Sequence, residues 1–453
     1  MIEIKNFWFG YVPNKWLLKD IHLTISPGEK VLLAGPTGSG KTTLLYILAG
    51  FFPRFFNGVY SGTAKIDGIS CIGGFEELKN VVGIALQDFE NQLLGLTVEE
   101  EVALGLYNLN LPYNSFIREL EETLKTYSLE HLREKYVFNI SFGEKQRVVL
   151  ASVLSTRPKI VLLDEPFSQL DYHHQQRLLD ILKKGISYEP TLVITEHDTG
   201  PFLDIVSRII ILDDGRVVFD GKNPSKELLR EYGLEATTLS KKILSYSGKD
   251  LLLVKDLSCG WDRRQVVYIR DLVVREREIT GITGPNGSGK TTILLTLTSF
   301  LSPIKGYLIK RKPITLVYQN PDNNILYPRV WDEVFRPIYN ITRNIETSTK
   351  IAEELLEAFS LTRYRMISPW KLSRGERTKL AIASALAANP GILLLDEPTY
   401  GLDYRSISDL LDILSQFLEK NNMGIVIASH NKNFLRRVCD RIYEIRHGEV
   451  FLT

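Results

Sequence analysis

Short apolar runs that stop abruptly at glycine-rich or charged residues recur along this chain, and they recur in the same order twice. The segment VLLAGPTGSGKTTLLYILAG reads as a buried strand, a tight turn and an apolar-striped helix, and TGITGPNGSGKTTILLTLTSF repeats it in the second half. Further on, IVLLDEP (Ile160 to Pro166) and ILLLDEP (Ile392 to Pro398) have the continuous apolar character of strands covered on both faces, each ending in two acids. TLVITEHD and GIVIASHN are a third such pair, each ending at a histidine. Strands alternating with helices predict an α/β fold, present twice.

The spacing between these runs is nearly constant. Gln87 to Ser141 and Gln319 to Ser373 are both 54 residues, and Ser141 to Asp164 and Ser373 to Asp396 are both 23. Asp164 to His197 is 33 residues and Asp396 to His430 is 34. Only the first interval differs: Gly35 to Gln87 is 52 residues, but Gly284 to Gln319 is 35. The second copy therefore lacks about 17 residues of the sheet-rich segment that holds GTAKIDGIS, which predicts a smaller β-subdomain. The first copy alone carries a tail, GKNPSKELLREYGLEATTLSKKILSYSG, whose helical apolar spacing predicts a structured connector. The expected domains are 1–248, including that connector, and 249–453, opening on the strand LLLVKDLS.

Composition adds mainly exclusions. A net charge of +1 gives no global attraction to nucleic acid, and no local basic patch stands out, so no nucleic-acid partner is expected. Cys71, Cys259 and Cys439 are far apart and form no C-x-x-C, so neither zinc nor an iron–sulfur cluster is expected; they read as reduced, packed thiols of a cytoplasmic protein. The start, MIEIKNFWFG, lacks a secretory pattern, and no apolar run reaches the roughly 18 residues that cross a bilayer.

The candidate chemistry lies at the polar ends of the apolar runs. Each G-x-x-x-x-G-K-[ST] match aims backbone N–H groups and a helix dipole at phosphate oxygens. The candidate cofactor-binding residues of the two loops are Gly35, Pro36, Thr37, Gly38, Ser39, Gly40, Lys41, Thr42 and Thr43, and in the second half Gly284, Pro285, Asn286, Gly287, Ser288, Gly289, Lys290, Thr291 and Thr292. Lys41 and Lys290 are expected to reach the β- and γ-phosphates, and the Thr42 and Thr291 hydroxyls to ligate a bridging Mg²⁺. Asp164 and Asp396 are expected to hold Mg²⁺ through water, while Glu165 and Glu397 orient and polarise the attacking water. His197 and His430, in register with the other motifs, become candidate γ-phosphate sensors. The amides of Gln87 and Gln319 suit completion of the Mg²⁺ and water shell.

The full order of motifs resembles that of ABC ATPases and covers nearly the whole chain twice. The signature equivalents are ISFGEKQR (Ile140 to Arg147) and LSRGERTK (Leu372 to Lys379), where the family usually has LSGGQ. Ser141, Gly143, Ser373 and Gly375 are retained; Phe142, Arg374, Glu144 and Glu376 depart, and bulk at the middle position is expected to alter packing more than phosphate contact. The resemblance implies ATP and Mg²⁺ and a RecA-like core with an antiparallel β-subdomain and a helical subdomain. It also implies a head-to-tail pseudo-dimer of the two domains. One site would then join Lys41, Thr42, Gln87, Asp164, Glu165 and His197 with Ser373 and Gly375, and the other Lys290, Thr291, Gln319, Asp396, Glu397 and His430 with Ser141 and Gly143. Adenine would stack on Tyr11 and Trp261, and the D-loops would be Ser168 to Asp171 and Tyr400 to Asp403. Since both glutamates and both histidines are present, two hydrolytically competent sites are expected.

Secondary motifs bear on the biological role. QNPDNNILYPRVWDEV, and more loosely QDFENQLLGLTVEEEV, resemble the Q-loop region of energy-coupling-factor importers, the vitamin and cobalt/nickel uptake systems. That likeness implies a peripheral ATPase on the cytoplasmic face of the membrane. Its partners would be an integral scaffold subunit, docked at the loops after Gln87 and Gln319, and a substrate-binding subunit. The alternatives are another ABC transporter or a ribosome-acting translation factor. The latter normally carries a long charged linker and the sequence EPTNHLD, whereas this chain reads EPFSQLD and EPTYGLD.

Overall fold

The computed structural model describes every residue except 169, 187, 235–247, 263 and 401. Two compact units result, Met1–Thr237 and Thr238–Thr453. In the first, the strands Val82–Ala85, Ile160–Asp164, Thr191–Glu196, Lys30–Ala34 and Arg208–Asp213 lie side by side in parallel, and Arg216–Gly221 closes the sheet antiparallel to Arg208–Asp213. Alternate residues of these strands enter different cores. Leu32, Val161, Leu163 and Ile194 pack with the helices Val98–Tyr107, Tyr113–Thr126 and Phe142–Ser155, whereas Val31, Leu33, Ile160 and Leu162 pack with Ile2, Ile4, Phe7 and Phe9. Burial on both faces is why these strands read as unbroken apolar runs.

The second face is covered by an antiparallel sheet of Leu18–Ile25, Ile2–Gly10, Val59–Ile66 and Ile69–Ser70. The second unit has the same core order, but its β-subdomain is continuous with the core. Tyr268 and Ile269 of Arg264–Arg275 pair in parallel with Glu449 and Val450 of Glu449–Leu452, giving one nine-stranded sheet. Between its phosphate-loop helix and Gln319 this unit has the strands Lys305–Lys310 and Ile314–Val317; the first unit also has Ile69–Ser70 and the helix Phe75–Leu78 there. Of the connector, the helix Lys226–Glu231 is described, started by Ser225 accepting from the Leu228 N–H. The remainder of the connector, 235–247, lies outside the described residues.

Candidate functional site

In each unit a central strand, Lys30–Ala34 or Ile279–Thr283, runs into a glycine turn and then a helix, Lys41–Leu48 or Lys290–Thr298. The turn ends at Gly40 with φ 103° or Gly289 with φ 101°, the left-handed region that side-chain-bearing residues disfavour. A Cβ on Gly40 would also crowd Leu18 Cδ2 at 2.6 Å. Neither helix has a side-chain cap, so the first-turn N–H groups are available to an anion. The Lys41 ammonium donates to the carbonyls of Gly35 (2.7 Å) and Pro36 (3.0 Å), and Lys290 to those of Gly284 (2.9 Å) and Pro285 (3.2 Å). Both lysines are buried over the loop. The hydroxyls of Ser39 and Ser288, the same position in each loop, are buried without a hydrogen-bond partner. Buried polar groups are normally paired, so two equivalent exceptions mark a place built for a ligand oxygen.

An aromatic ring stands beside each loop. Tyr11 Oη lies 3.0 Å from Thr43 Oγ1, and Trp261 Nε1 donates to Thr292 Oγ1 at 3.3 Å. These bonds tie the ring edges to the loop helix, leaving the rings 47% and 48% exposed.

Asp164 and Asp396 end the strands Ile160–Asp164 and Ile392–Asp396. Asp164 Oδ1 accepts from Thr42 (3.0 Å) and Thr195 (2.7 Å), and Asp396 Oδ2 accepts from Thr291 (2.7 Å). Asp164 Oδ2 is buried and unpaired. Burial pushes both acids up to about 6, with the neighbouring glutamates adding to the rise and the threonine hydroxyls opposing it. Among the described residues no group of three His, Cys, Asp or Glu could hold a metal. A threonine hydroxyl with one carboxylate fits a hard cation that takes its other ligands from water and phosphate, as Mg²⁺ does. A cation bound there would have to displace the protons these acids carry below about pH 6. The apparent Mg²⁺ affinity at saturating ATP should therefore be flat above pH 7 and fall below pH 6, by up to about tenfold per pH unit for each proton displaced. Mg²⁺ titration of ATP hydrolysis across that range, referred to Mg²⁺–ATP complexation in free solution, checks this; a flat profile to pH 5 would contradict it.

Glu165 and Glu397 adopt left-handed backbone, φ 45° and 46°. Such strain costs about 1–2 kcal/mol, and it is fixed by N–H bonds to the Thr195 carbonyl (3.1 Å) and the Ala428 carbonyl (2.8 Å). Glu165 Oε1 lies 2.8 Å from His197 Nε2, Oε2 accepts from Gln87 Nε2 at 2.6 Å, and His197 Nδ1 is 3.0 Å from the Gly35 carbonyl. Glu397 is held otherwise. It accepts from Ser429 Oγ (2.9 Å) and the His430 N–H (2.9 Å), and lies 3.1 Å from His430 Nδ1 and 3.5 Å from Lys290 Nζ. Burial would raise its pKa, but His430, Lys290 and Ser429 together hold it below the usual carboxylate range.

Sequence reasoning missed Thr195, Glu196 and Ser429. Glu196 occupies the place of Ser429, is buried, and accepts from the N–H groups of Phe167 (2.7 Å) and His197 (3.3 Å). Burial, reinforced by the charge of Glu165, raises its pKa well above the ordinary value. The only sequence signal was that TEHD and ASHN differ just before the histidine. Gln319 is exposed and, among the described residues, makes no hydrogen bond to Glu397, unlike Gln87 in the first unit.

Ser141 and Ser373 start the helices Phe142–Ser155 and Arg374–Ala387, each in a capping box with Glu144 or Glu376. Gly143 and Gly375 are buried in the first turns. A Cβ on Gly143 would lie 2.1 Å from the His174 ring. Phe142 packs on Phe89 with centroids 4.5 Å apart, and the Arg374 guanidinium lies 4.0 Å over the Tyr400 ring. Residues 169 and 401 of the D-loops lie outside the described residues.

A phosphate loop flanked by a strand-end aspartate and a caged glutamate defines a P-loop nucleoside-triphosphatase unit, and this chain has two. Residues 18–168 and 270–400 match the family described as ABC transporter, so the chain belongs to that family and is an ATP hydrolase using ATP and Mg²⁺. It is 30% identical, over 99% of its length and 96% of the relative's, to a protein of Treponema denticola named "Putative ABC transporter ATP-binding protein". It is 28% identical, over 98% of its length and 89% of the relative's, to a Bacillus subtilis protein named "Putative HMP/thiamine import ATP-binding protein YkoD". Among solved structures, a ribosome-bound archaeal Pelota and ABCE1 model matches with TM-score 0.71 and 23% identity over 96% of this chain and 76% of that one. The RNase-L Inhibitor matches with TM-score 0.68 and 21% identity over 99% and 90%. At such identities these two likenesses show the fold alone.

Proposed function

We propose that this chain is the ATP-hydrolysing subunit of an importer of the energy-coupling-factor type, taking up a vitamin or a transition-metal ion. It would lie on the cytoplasmic face of the membrane against an integral scaffold subunit and a substrate-binding subunit. The observation that carries this reading is a pair of apolar loops just after Gln87 and Gln319. Leu94 and Leu326 are 81% and 80% exposed there. Each loop is held by a buried glutamate: Glu101 accepts from the N–H groups of Leu94 and Gly95 (both 2.7 Å), and Glu333 from those of Leu326 (3.0 Å) and Tyr327 (2.7 Å). Exposed leucines on loops fixed in this way suit a partner's apolar surface. The near-full-length similarity to the relative named for HMP/thiamine import supports the same reading. No helix among the described residues is long and apolar enough to cross a membrane, so the translocation path would lie in other chains.

In the proposed cycle the two units face head to tail, and each phosphate loop binds ATP against the other unit's signature. Tyr11 and Trp261 stack on adenine; Lys41 and Lys290, with the loop N–H groups, hold the β- and γ-phosphates. Thr42, Thr291, Asp164, Asp396, Gln87 and Gln319 are the metal-side residues, and bound Mg²⁺ would neutralise phosphate charge during transfer. Glu165 and Glu397 take the proton of the attacking water, while His197 and His430 orient those carboxylates and sense the γ-phosphate.

A second reading is a ribosome-associated factor, the role of the ribosome-bound archaeal protein that shares this fold. Against it stand EPFSQLD and EPTYGLD and the near-neutral charge. Purification of the tagged protein from detergent-solubilised native cells with ATP, followed by mass spectrometry, separates the two. A polytopic membrane protein with a smaller hydrophobic companion is expected. Ribosomal proteins without membrane partners would overturn the importer reading.

A further inference from the structure

We infer that a side-chain strut ties the turn after each Q-loop glutamine to the signature helix of the same unit, and that its members position the signature serine for ATP hydrolysis. In the first unit Lys145 Nζ lies 2.5 Å from Glu90 Oε1. In the second Arg377 Nε lies 3.0 Å from Asp322 Oδ1, an ion contact without hydrogen-bond alignment. The acid stands three residues after the glutamine in both units and the base four residues after the signature serine, so one cross-link has been built twice with different residues.

The strut also gives Phe142 and Arg374 a reason to depart from glycine. Phe142 adds an apolar contact to the same link through the buried Phe89. Arg374 instead anchors its signature turn to Tyr400, three residues after Glu397. Both signature turns are thereby fastened within their own unit, to the Q-loop turn and to the segment following the glutamate, where Gln146 donates to the Pro166 carbonyl in the first and Arg374 covers Tyr400 in the second.

The turns carrying Glu90 and Asp322 lead directly into the loops of Leu94 and Leu326. A displacement of either loop therefore has a side-chain route to the helix that Ser141 or Ser373 starts. The Glu90 carboxylate is half-exposed, so its pair adds little to stability, whereas Arg377 Nε and Asp322 Oδ1 meet as buried atoms. The consequence of both pairs is geometric, since misplacing a group that meets the transition state by about 1 Å can cost 10²-fold in rate. Lys145, Arg377, Glu90 and Asp322 are thus positioning residues. The inference rests on the reading that the signature serines meet ATP across the two units.

The test uses the purified full chain. Reversing the acids, Glu90→Lys with Asp322→Arg, is expected to lower kcat for ATP by about tenfold with KM nearly unchanged, Tm being followed as the check on folding. Reversing the bases as well, Lys145→Glu with Arg377→Asp, should restore most of the loss. Wild-type kcat in the acid-reversed protein, or no recovery in the four-residue exchange at unchanged Tm, would overturn the strut. Should the reversed chain not fold, Glu90→Gln with Asp322→Asn gives the same reading, a kcat loss at constant KM supporting the strut and its absence overturning it. Ser141→Ala with Ser373→Ala keeps the underlying reading separate. If that pair leaves kcat unchanged, the signature reading fails and the strut with it; if it lowers kcat while the acid reversal does not, the strut alone fails.

Discussion

Replacing Glu165 and Glu397 together by glutamine is expected to lower steady-state ATP hydrolysis by about 10²–10⁴-fold, with ATP binding retained. Each carboxylate follows the metal-side aspartate at a strand end, is held in left-handed backbone, and is hydrogen-bonded or ion-paired to the histidine of its unit. Glutamine keeps the shape and an accepting oxygen, so the contacts to Gln87, His197, Ser429 and His430 can largely persist. What it removes is the ability to take a proton from water. ATP should then accumulate unhydrolysed, visible as a rise of Tm with ATP concentration by simple linkage. Hydrolysis near the wild-type rate would show that neither glutamate is the base.

Lys41→Ala with Lys290→Ala should instead weaken ATP binding. A hydrogen bond to a charged group is worth about 1.5–3 kcal/mol, so each site should lose about 10–100-fold in affinity. Both ammonium groups are buried at the loop and hydrogen-bonded to its carbonyls, which places them where bound phosphate would take over those contacts. Equilibrium binding of a fluorescent ATP analogue distinguishes this variant from the glutamate pair. Unchanged affinity with lost hydrolysis would move the lysines from binding to the transition state alone.

The strands and turns that carry the candidate site were largely legible in the sequence, because its residues lie at the ends of runs whose burial is dictated by period and composition. Ile160–Asp164 and Ile392–Asp396 are strands, and the glycine turns join strand to helix as the spacing predicts. The relations between runs were not legible. Nothing in a single strand's pattern says that Tyr268 will pair with Glu449 and merge two sheets in one unit but not the other. Nor could the two glutamate cages be told apart, since Gln87 and Gln319 sit at equal spacing from later motifs, yet only Gln87 reaches its glutamate. The bulk of Phe142 and Arg374 was expected to alter packing, but their partners, Phe89 and Tyr400, are brought to them only by tertiary packing and could not be named.

The most direct measurement is nucleotide stoichiometry. The Glu165→Gln, Glu397→Gln chain would be incubated with ATP and Mg²⁺, passed through a desalting column and assayed for bound nucleotide. Two ATP per chain, unhydrolysed, is the predicted result. A single ATP per chain, or bound ADP in its place, would contradict the account of two hydrolytically competent units in one polypeptide.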